Sequence, residues 1–414
     1  MMIGSTHWRK LCEDRLILPF YLPSLILSFS QGLLIPVLPL YATNFEVSYG
    51  IVGLILAAQS VGNLIGDIPS GMLLQRMGQK AAMALGLAGT ALTMAGLFWA
   101  KSVSEVLLYL LVSGFSNALY NIARHAYITD AIGSGNRGRA TALLGGLFRL
   151  GRFFGPMIGG LLAGHYGLRV PFLWFGGACL ASVVVVMLFV EGDGRATLRA
   201  KRLAQPEPRL LAVLKARVGL LVAGGTGQIF AQMIRAGRSA IIPLFAADVI
   251  GLDVEAIGLL TTIAAGVEMT LFYPAGWIMD HWGRKAAIVP SFAFQAIAMA
   301  CVPFTRNFGG LLFVTTLIGL GNGLSSGAML TLGSDLAPKG ARGGFLGVWR
   351  FIGDIGSTGG PVVVGGVADL VELPTAAWAM AAAGLLAAGI FGFLLPETLE
   401  RSPRAVAVAE VGND

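Results

Sequence analysis

The chain has 414 residues, 55% hydrophobic and only 12% charged, with a mean hydropathy of +0.75 and a formal net charge of +7. Soluble domains carry about 25% charged residues, so a soluble enzyme or binding module is excluded. The apolar runs are continuous over ~20 residues rather than alternating over ~10, which excludes a β-barrel and leaves a polytopic α-helical membrane protein.

Residues 1–16 read as a cytoplasmic segment carrying Arg9, Lys10 and Arg15. The apolar stretch that follows, roughly 17–42, is too long for the h-region of a signal peptide and reads as the first span. Five more spans are expected at roughly 49–74, 81–100, 104–128, 140–163 and 170–190, closing a first six-helix bundle over about 17–190. A loop at about 191–217 holds Arg195, Arg199, Lys201, Arg202, Arg209, Lys215 and Arg217 and reads as a basic linker on the inner leaflet. Six further spans, roughly 218–245, 255–279, 286–305, 308–334, 343–367 and 375–395, make a second bundle over about 218–395, and 396–414 is a tail. With both termini cytoplasmic, twenty of the 29 Lys and Arg fall on cytoplasmic segments, while the outer loops hold only Lys101, Arg169 and Arg306. That asymmetry orients the chain. It also assigns the positive charge to anionic lipid of the bilayer rather than to nucleic acid.

Chemistry of other kinds finds no support. Cys12, Cys179 and Cys301 lie far apart, and His7, His125, His165 and His281 show no ligand spacing, so no metal site is expected. No phosphate-binding G-x-x-x-x-G-K-[ST] loop occurs, and "GLGNG" at 319–323 lies inside a span as packing glycine. Neither a cofactor nor an enzymatic nucleophile–base pair is expected.

The two halves repeat. "GMLLQRMGQK" at 71–80 and "GWIMDHWGRK" at 276–285 match through Gly71, Gly78 and Lys80 on Gly276, Gly283 and Lys285, an offset of 205. The same offset carries Pro69 onto Pro274, Asn117 onto Asn322, Asp130 onto Asp335, and Gly155-Pro156 onto Gly360-Pro361. Parallel six-helix repeats related about the membrane normal are the plan of secondary transporters.

At these residues the chain resembles the major facilitator superfamily. The family's G-x-x-x-D-R/K-x-G-R/K-R/K turn is met by Gly276, Asp280, Gly283, Arg284 and Lys285, with His281 at the basic position; the first copy keeps Gly71, Arg76, Gly78 and Lys80 but has Gln75 and Gln79. The resemblance implies that these turns, with Asp130 and Asp335, latch the cytoplasmic side when the carrier opens outward. Loss of the acid at Gln75 leaves the second latch the better formed. "GLLIPVLPLYA" (Pro36, Val37, Pro39) and "GRFFGPMIGG" (Gly151, Gly155, Pro156, Gly159, Gly160) resemble elements of the twelve-helix drug–proton antiporter branch. The Arg that branch carries in the outer half of the fourth span is missing, its place taken by Leu111.

Ionisable groups within the spans are functional candidates. At 1.5 Å per residue, Arg152 and Glu268 lie ~18 Å and ~16 Å from the cytoplasmic ends of their spans. They are expected to pair, with Arg149 one turn below. Arg350 and Asp354 stand at i, i+4, where a structural bridge and a proton-coupling carboxylate are both open; Arg124 and Asp67 are expected to pair structurally. A cavity is expected from Gln31, Asn117, Asn121, Gln228, Gln232, Arg235, Asn322 and Ser326. The function expected is monomeric, proton-coupled efflux of small amphipathic compounds across a bacterial plasma membrane by alternating access. Import or exchange of a small organic anion, and a non-transporting receptor or scaffold, are the alternatives.

Overall fold

The computed structural model describes residues 20–131, 137–190, 218–338 and 342–399. The expectations for 1–16 and for the 191–217 linker, and most of that for the 396–414 tail, lie outside these residues.

The described chain is helical, with no strand among its residues. In order, the helices are α1 (Leu22–Thr43), α2 (Tyr49–Trp99), α3 (Val103–Ala131), α4 (Arg137–Tyr166) and α5 (Val170–Phe189), then α6 (Val218–Asp248), α7 (Val254–Thr270), α8 (Phe272–His281), α9 (Arg284–Cys301), α10 (Phe308–Leu324), α11 (Ala328–Leu336), α12 (Arg342–Leu370) and α13 (Leu373–Gly389), which runs on as a π turn over Ile390–Leu394. Eight helical segments among the described residues are long and apolar enough to cross a membrane. Three others, α4, α6 and α12, are 30, 31 and 29 residues long but more polar. Between them they hold Arg149, Arg152, Arg235, Arg238, Arg350 and Asp354.

Glycine sets the breaks. The 51-residue α2 is two helices joined through Gly78, whose φ of 82° is open to glycine at little cost. Gly283, with φ 111°, makes the equivalent break between α8 and α9. Asp253 and Asn307 start α7 and α10 by accepting from the Ala256 and Gly310 amides at 2.7 and 2.8 Å.

Helices α1–α5 pack as one set and α6–α13 as another, and the sets meet mainly through α2 with α12 and α4 with α7. Within lipid the hydrophobic effect contributes little between helices, so contact depends on close approach at small residues. On α4, Gly151, Gly155 and Gly159 form an i, i+4, i+8 stripe whose Cα atoms face the α1 backbone from Ser28 to Leu33. One residue on, Gly160 and Gly164 face α7 at Val254, Gly258 and Glu255. The glycine motif read from the sequence thus serves two partners, one in its own set and one in the other. Many large apolar side chains, Leu92, Leu188, Tyr273 and Phe393 among them, stay exposed on the outside, as lipid-facing positions require.

Candidate functional site

A cavity of about 510 Å³ lies between the two sets. Its charged lining is Arg149 and Arg152 from α4, Arg235 and Arg238 from α6, and Glu268 from α7. Four guanidiniums therefore face one carboxylate.

Each arginine has its own support. Arg149 Nη2 donates to Ser326 Oγ across the sets at 2.7 Å, and its Cζ lies 3.6 Å from the centroid of the Phe272 ring. Arg235 Nη2 donates to Ser325 Oγ at 2.7 Å, and Ser325 is held in turn by Ser291 Oγ at 2.7 Å. Gln295 Nε2 donates to Ser291 at 3.1 Å and completes this buried chain. Arg235 Nε is buried without a hydrogen-bond partner. Glu268 Oε2 accepts from Arg238 Nη2 at 3.3 Å.

That last pair corrects the expected Arg152–Glu268 partnership. Arg152 lines the same cavity but makes no hydrogen bond or ion pair among the described residues; it is exposed to the cavity space. Arg238 sits three residues beyond Arg235 on α6, and the i, i+3 relation could have flagged it. The expected Arg124–Asp67 pair is also absent: the Arg124 guanidinium, 3% exposed, lies over the Tyr120 and Phe148 rings at 5.3 and 5.0 Å. Asp67 instead lies within range of the Arg350 charge from the other set. Arg350 and Asp354 approach at 3.9 Å, and neither lines the cavity.

Of the expected polar lining, Gln232, Arg235, Asn322 and Ser326 face the cavity. Gln31, Asn117, Asn121 and Gln228 are not part of its wall. Gln31 donates to Asn117 at 3.4 Å and Asn117 to Asn63 at 3.1 Å, so these amides join α1, α3 and α2. Gln228 is buried beneath Gly353 of α12.

The sets are joined by hydrogen bonds at one end. Tyr49 Oη donates to Asp248 at 3.0 Å, the Gly50 amide to Asp369 at 2.9 Å, and His165 Nδ1 meets Glu255 at 3.1 Å. Two glycine contacts lie beside them and repeat the 205 offset: Gly258 packs on the Pro156 carbonyl and Gly53 on the Pro361 carbonyl. No hydrogen bond or ion pair among the described residues joins the sets at the opposite end, where the basic turns lie.

The turns differ as their sequences do. In the second, Arg284 donates to Asp335 at 3.0 Å and to Asp280 at 2.9 Å. In the first, Gln79, at the position of Arg284, donates to Asp130, at the position of Asp335. Asp280 and Arg284 of the second turn are thus matched by the neutral amides Gln75 and Gln79 in the first, while Asp130 keeps its carboxylate. The structure adds Glu397, whose carboxylate accepts from the amides of Arg284, Lys285, Thr398 and Leu399 at 2.8–3.0 Å. Burial would raise its pKa, but the four backbone donors outweigh burial and hold it below the ordinary value of 4.5. Gly71, Arg76, Gly78, Lys80, Gly276, Gly283 and Lys285 occupy the two turns themselves.

A charged cavity between two helical sets that share one internal repeat defines a membrane carrier. The Major Facilitator Superfamily model matches residues 21–234 and again 224–412, and the chain belongs to that family. It is 22% identical over 368 residues to the quinolone resistance protein NorA of Staphylococcus aureus, covering 87% of this chain and 92% of that one. It is 25% identical over 355 residues to a multi-drug resistance efflux pump PmrA homolog of Lactococcus lactis, covering 83% and 85%. Among solved structures, a D-xylose–proton symporter superposes with a TM-score of 0.74 at 18% identity over 94% of this chain and 98% of that one. A bacterial homolog of the human lysosomal transporter Spinster, inward-facing and occupied, superposes with a TM-score of 0.76 at 15% identity, over 94% and 97%. The protein is an integral membrane transporter of this superfamily with drug-efflux relatives.

Proposed function

We propose that the protein is a proton-coupled secondary transporter that exports small amphipathic compounds by alternating access, as a twelve-span monomer in a bacterial inner membrane with residues 1–16, 191–217 and 396–414 on the cytoplasmic side. The observation that carries this reading is a cavity between two repeated sets which, among the described residues, are hydrogen-bonded to each other at the cavity through Arg149 and Ser326 and at the end away from the basic turns. The opposite end carries the basic turns, so by the distribution of Lys and Arg it faces the cytoplasm. Rocking the sets about the cavity would break the Tyr49–Asp248 and Gly50–Asp369 contacts and bring the turns together. Glu268 and Asp354 are the carboxylates through which a proton would act, with Arg149, Arg152 and Arg350 as the cations that set their charge. The names of the efflux relatives support the outward direction.

Reconstitution in liposomes with an imposed pH gradient tests this. Accumulation of compounds should follow the gradient and collapse with a protonophore; movement indifferent to the gradient removes the coupling. A second reading, uptake or exchange of an organic anion, is favoured by the four cavity arginines. It predicts the opposite direction of movement in the same vesicles.

A further inference from the structure

We propose that the substrates of this cavity are amphipathic organic anions, an apolar body bearing one or two carboxylates, and that Glu268 is the internal counter-ion they displace from Arg238. The inference rests on the transporter reading above and holds for either direction of transport.

The argument begins with charge. The cavity wall holds four arginines and Glu268, and no lysine, histidine or aspartate. Away from bulk water an unbalanced guanidinium is costly. Three of the four positive charges have no carboxylate in the cavity to answer them. A cation entering here meets repulsion from all four, and the one carboxylate is already engaged by Arg238 at 3.3 Å. An anion meets attraction from all four guanidiniums.

The donors are available. A guanidinium carries five N–H groups. Arg149 uses Nη2 on Ser326 and Arg238 uses Nη2 on Glu268, which leaves further N–H groups on each. Arg152 has no bonded partner among the described residues and is the open cation of the set. The arginines also come in two pairs, Arg149 and Arg152 on α4 of the first set, Arg235 and Arg238 on α6 of the second. A carboxylate between them bonds to both sets at once, which is what a substrate must do to favour closure around itself. Apolar side chains, among them Ile35, Phe148, Ile242, Leu260 and Met269, share the rest of the wall with hydroxyl and amide groups, and a volume of about 510 Å³ suits a drug-sized body.

Glu268 then holds, among these arginines, the position that a substrate carboxylate would take. The groups around it are Arg238 and Arg235 from α6, Arg152 and Arg149 from α4, and Asn322 from α10. A substrate anion competes with it for Arg238. Asp67 and Asp354 lie outside the cavity wall and stay free of that competition.

The test uses the purified full-length chain and three compounds of one shape and different charge: naphthoate, naphthalene dicarboxylate and naphthylmethylammonium. Thermal unfolding in detergent should show stabilisation by the dicarboxylate, a smaller effect of naphthoate, and none from the ammonium. Arg152→Gln, at an exposed position with no bonded partner to strand, should weaken dicarboxylate binding by about tenfold, the loss of one charge-assisted contact. Glu268→Gln should strengthen it by a few-fold, because the competitor for Arg238 is gone. Stabilisation by the ammonium equal to or above that of the anions overturns the inference, as does absence of any anion effect or a Glu268→Gln variant that binds anions more weakly. The two readings fail separately. Gradient-driven movement of the ammonium without anion binding leaves the transporter reading standing and removes this one. Anion stabilisation without gradient-driven movement of any compound does the reverse.

Discussion

The α1–α4 contact gives a sharp physical prediction. Gly155→Ala places a Cβ 2.5 Å from the Gly32 Cα and 2.6 Å from the Gly32 carbonyl carbon. Carbon atoms pack best at about 3.5–4.0 Å, so the two helices must part by roughly 1 Å. The atoms in the way are backbone, and no rotamer change relieves them. Overpacking of this kind costs about 1–3 kcal/mol. Alanine gains up to about 1 kcal/mol over glycine in helix propensity, which offsets part of the loss. Gly146, nine residues earlier on the same helix, isolates that gain, since a Cβ there meets nothing within 4 Å. Thermal unfolding of both variants in one detergent should place Gly155→Ala below the wild type and Gly146→Ala at or above it. The Gly32→Ala, Gly155→Ala double variant should lose less than the sum of the single losses, because helices already parted accommodate the second methyl. A Gly155→Ala protein that melts with Gly146→Ala would refute the claim that backbone contact at these glycines holds the first set together.

Other outcomes follow from the same geometry. Tyr49→Phe combined with Asp369→Asn removes a bond and weakens another across the closed end. A cysteine reporter in the cavity should then label faster from the outer side, by several-fold for a loss of about 1 kcal/mol; unchanged labelling would deny these contacts a gating role. Gln75→Asp with Gln79→Arg rebuilds the second turn's ion pairs in the first and should slow reopening of the cytoplasmic side, stabilising the turn by no more than about 1 kcal/mol at this exposure. Glu397→Gln loses a carboxylate that receives four backbone N–H groups, two of them, Arg284 and Lys285, opening α9, and should cost about 1 kcal/mol at neutral pH. Because the folded pKa of Glu397 is depressed, its contribution is present above the ordinary value of 4.5 and lost as pH falls through the lower folded value. The gap between wild type and variant in a melting series should therefore close below pH 4.5, and a gap that widens there would reverse the assignment.

The helical class and the repeat were legible because hydropathy and a single offset are properties of the linear chain. A string of apolar residues must hydrogen-bond to itself in lipid, whatever its neighbours do. The glycine motif was legible as a packing signal, and the basic turns as glycine breaks beside charges; Gly78 and Gly283 adopt the positive φ that only glycine takes cheaply. The identity of the cavity arginines was partly legible. Arg152 stands out by depth, Arg149 as its neighbour one turn below and Arg235 by sharing a helix face with Gln228 and Gln232, while Arg238 is hidden because charge spacing on one helix does not say which turn faces a partner on another.

Pairing was decided by the tertiary structure. Depth along a helix is set by residue number, at ~1.5 Å per residue, but azimuth relative to a neighbouring helix depends on how the two pack. Arg152 and Glu268 have the right depths, yet Arg238 reaches the carboxylate. Arg124 and Asp67 share a level, yet Arg124 faces two aromatic rings. The sequence alone determined that charges lie inside the bundle and on which helices. Only the packed helices determined that four of them are cations around one acid, because an interior charge acquires its partner from across a helix interface, and interfaces are not written in any one segment.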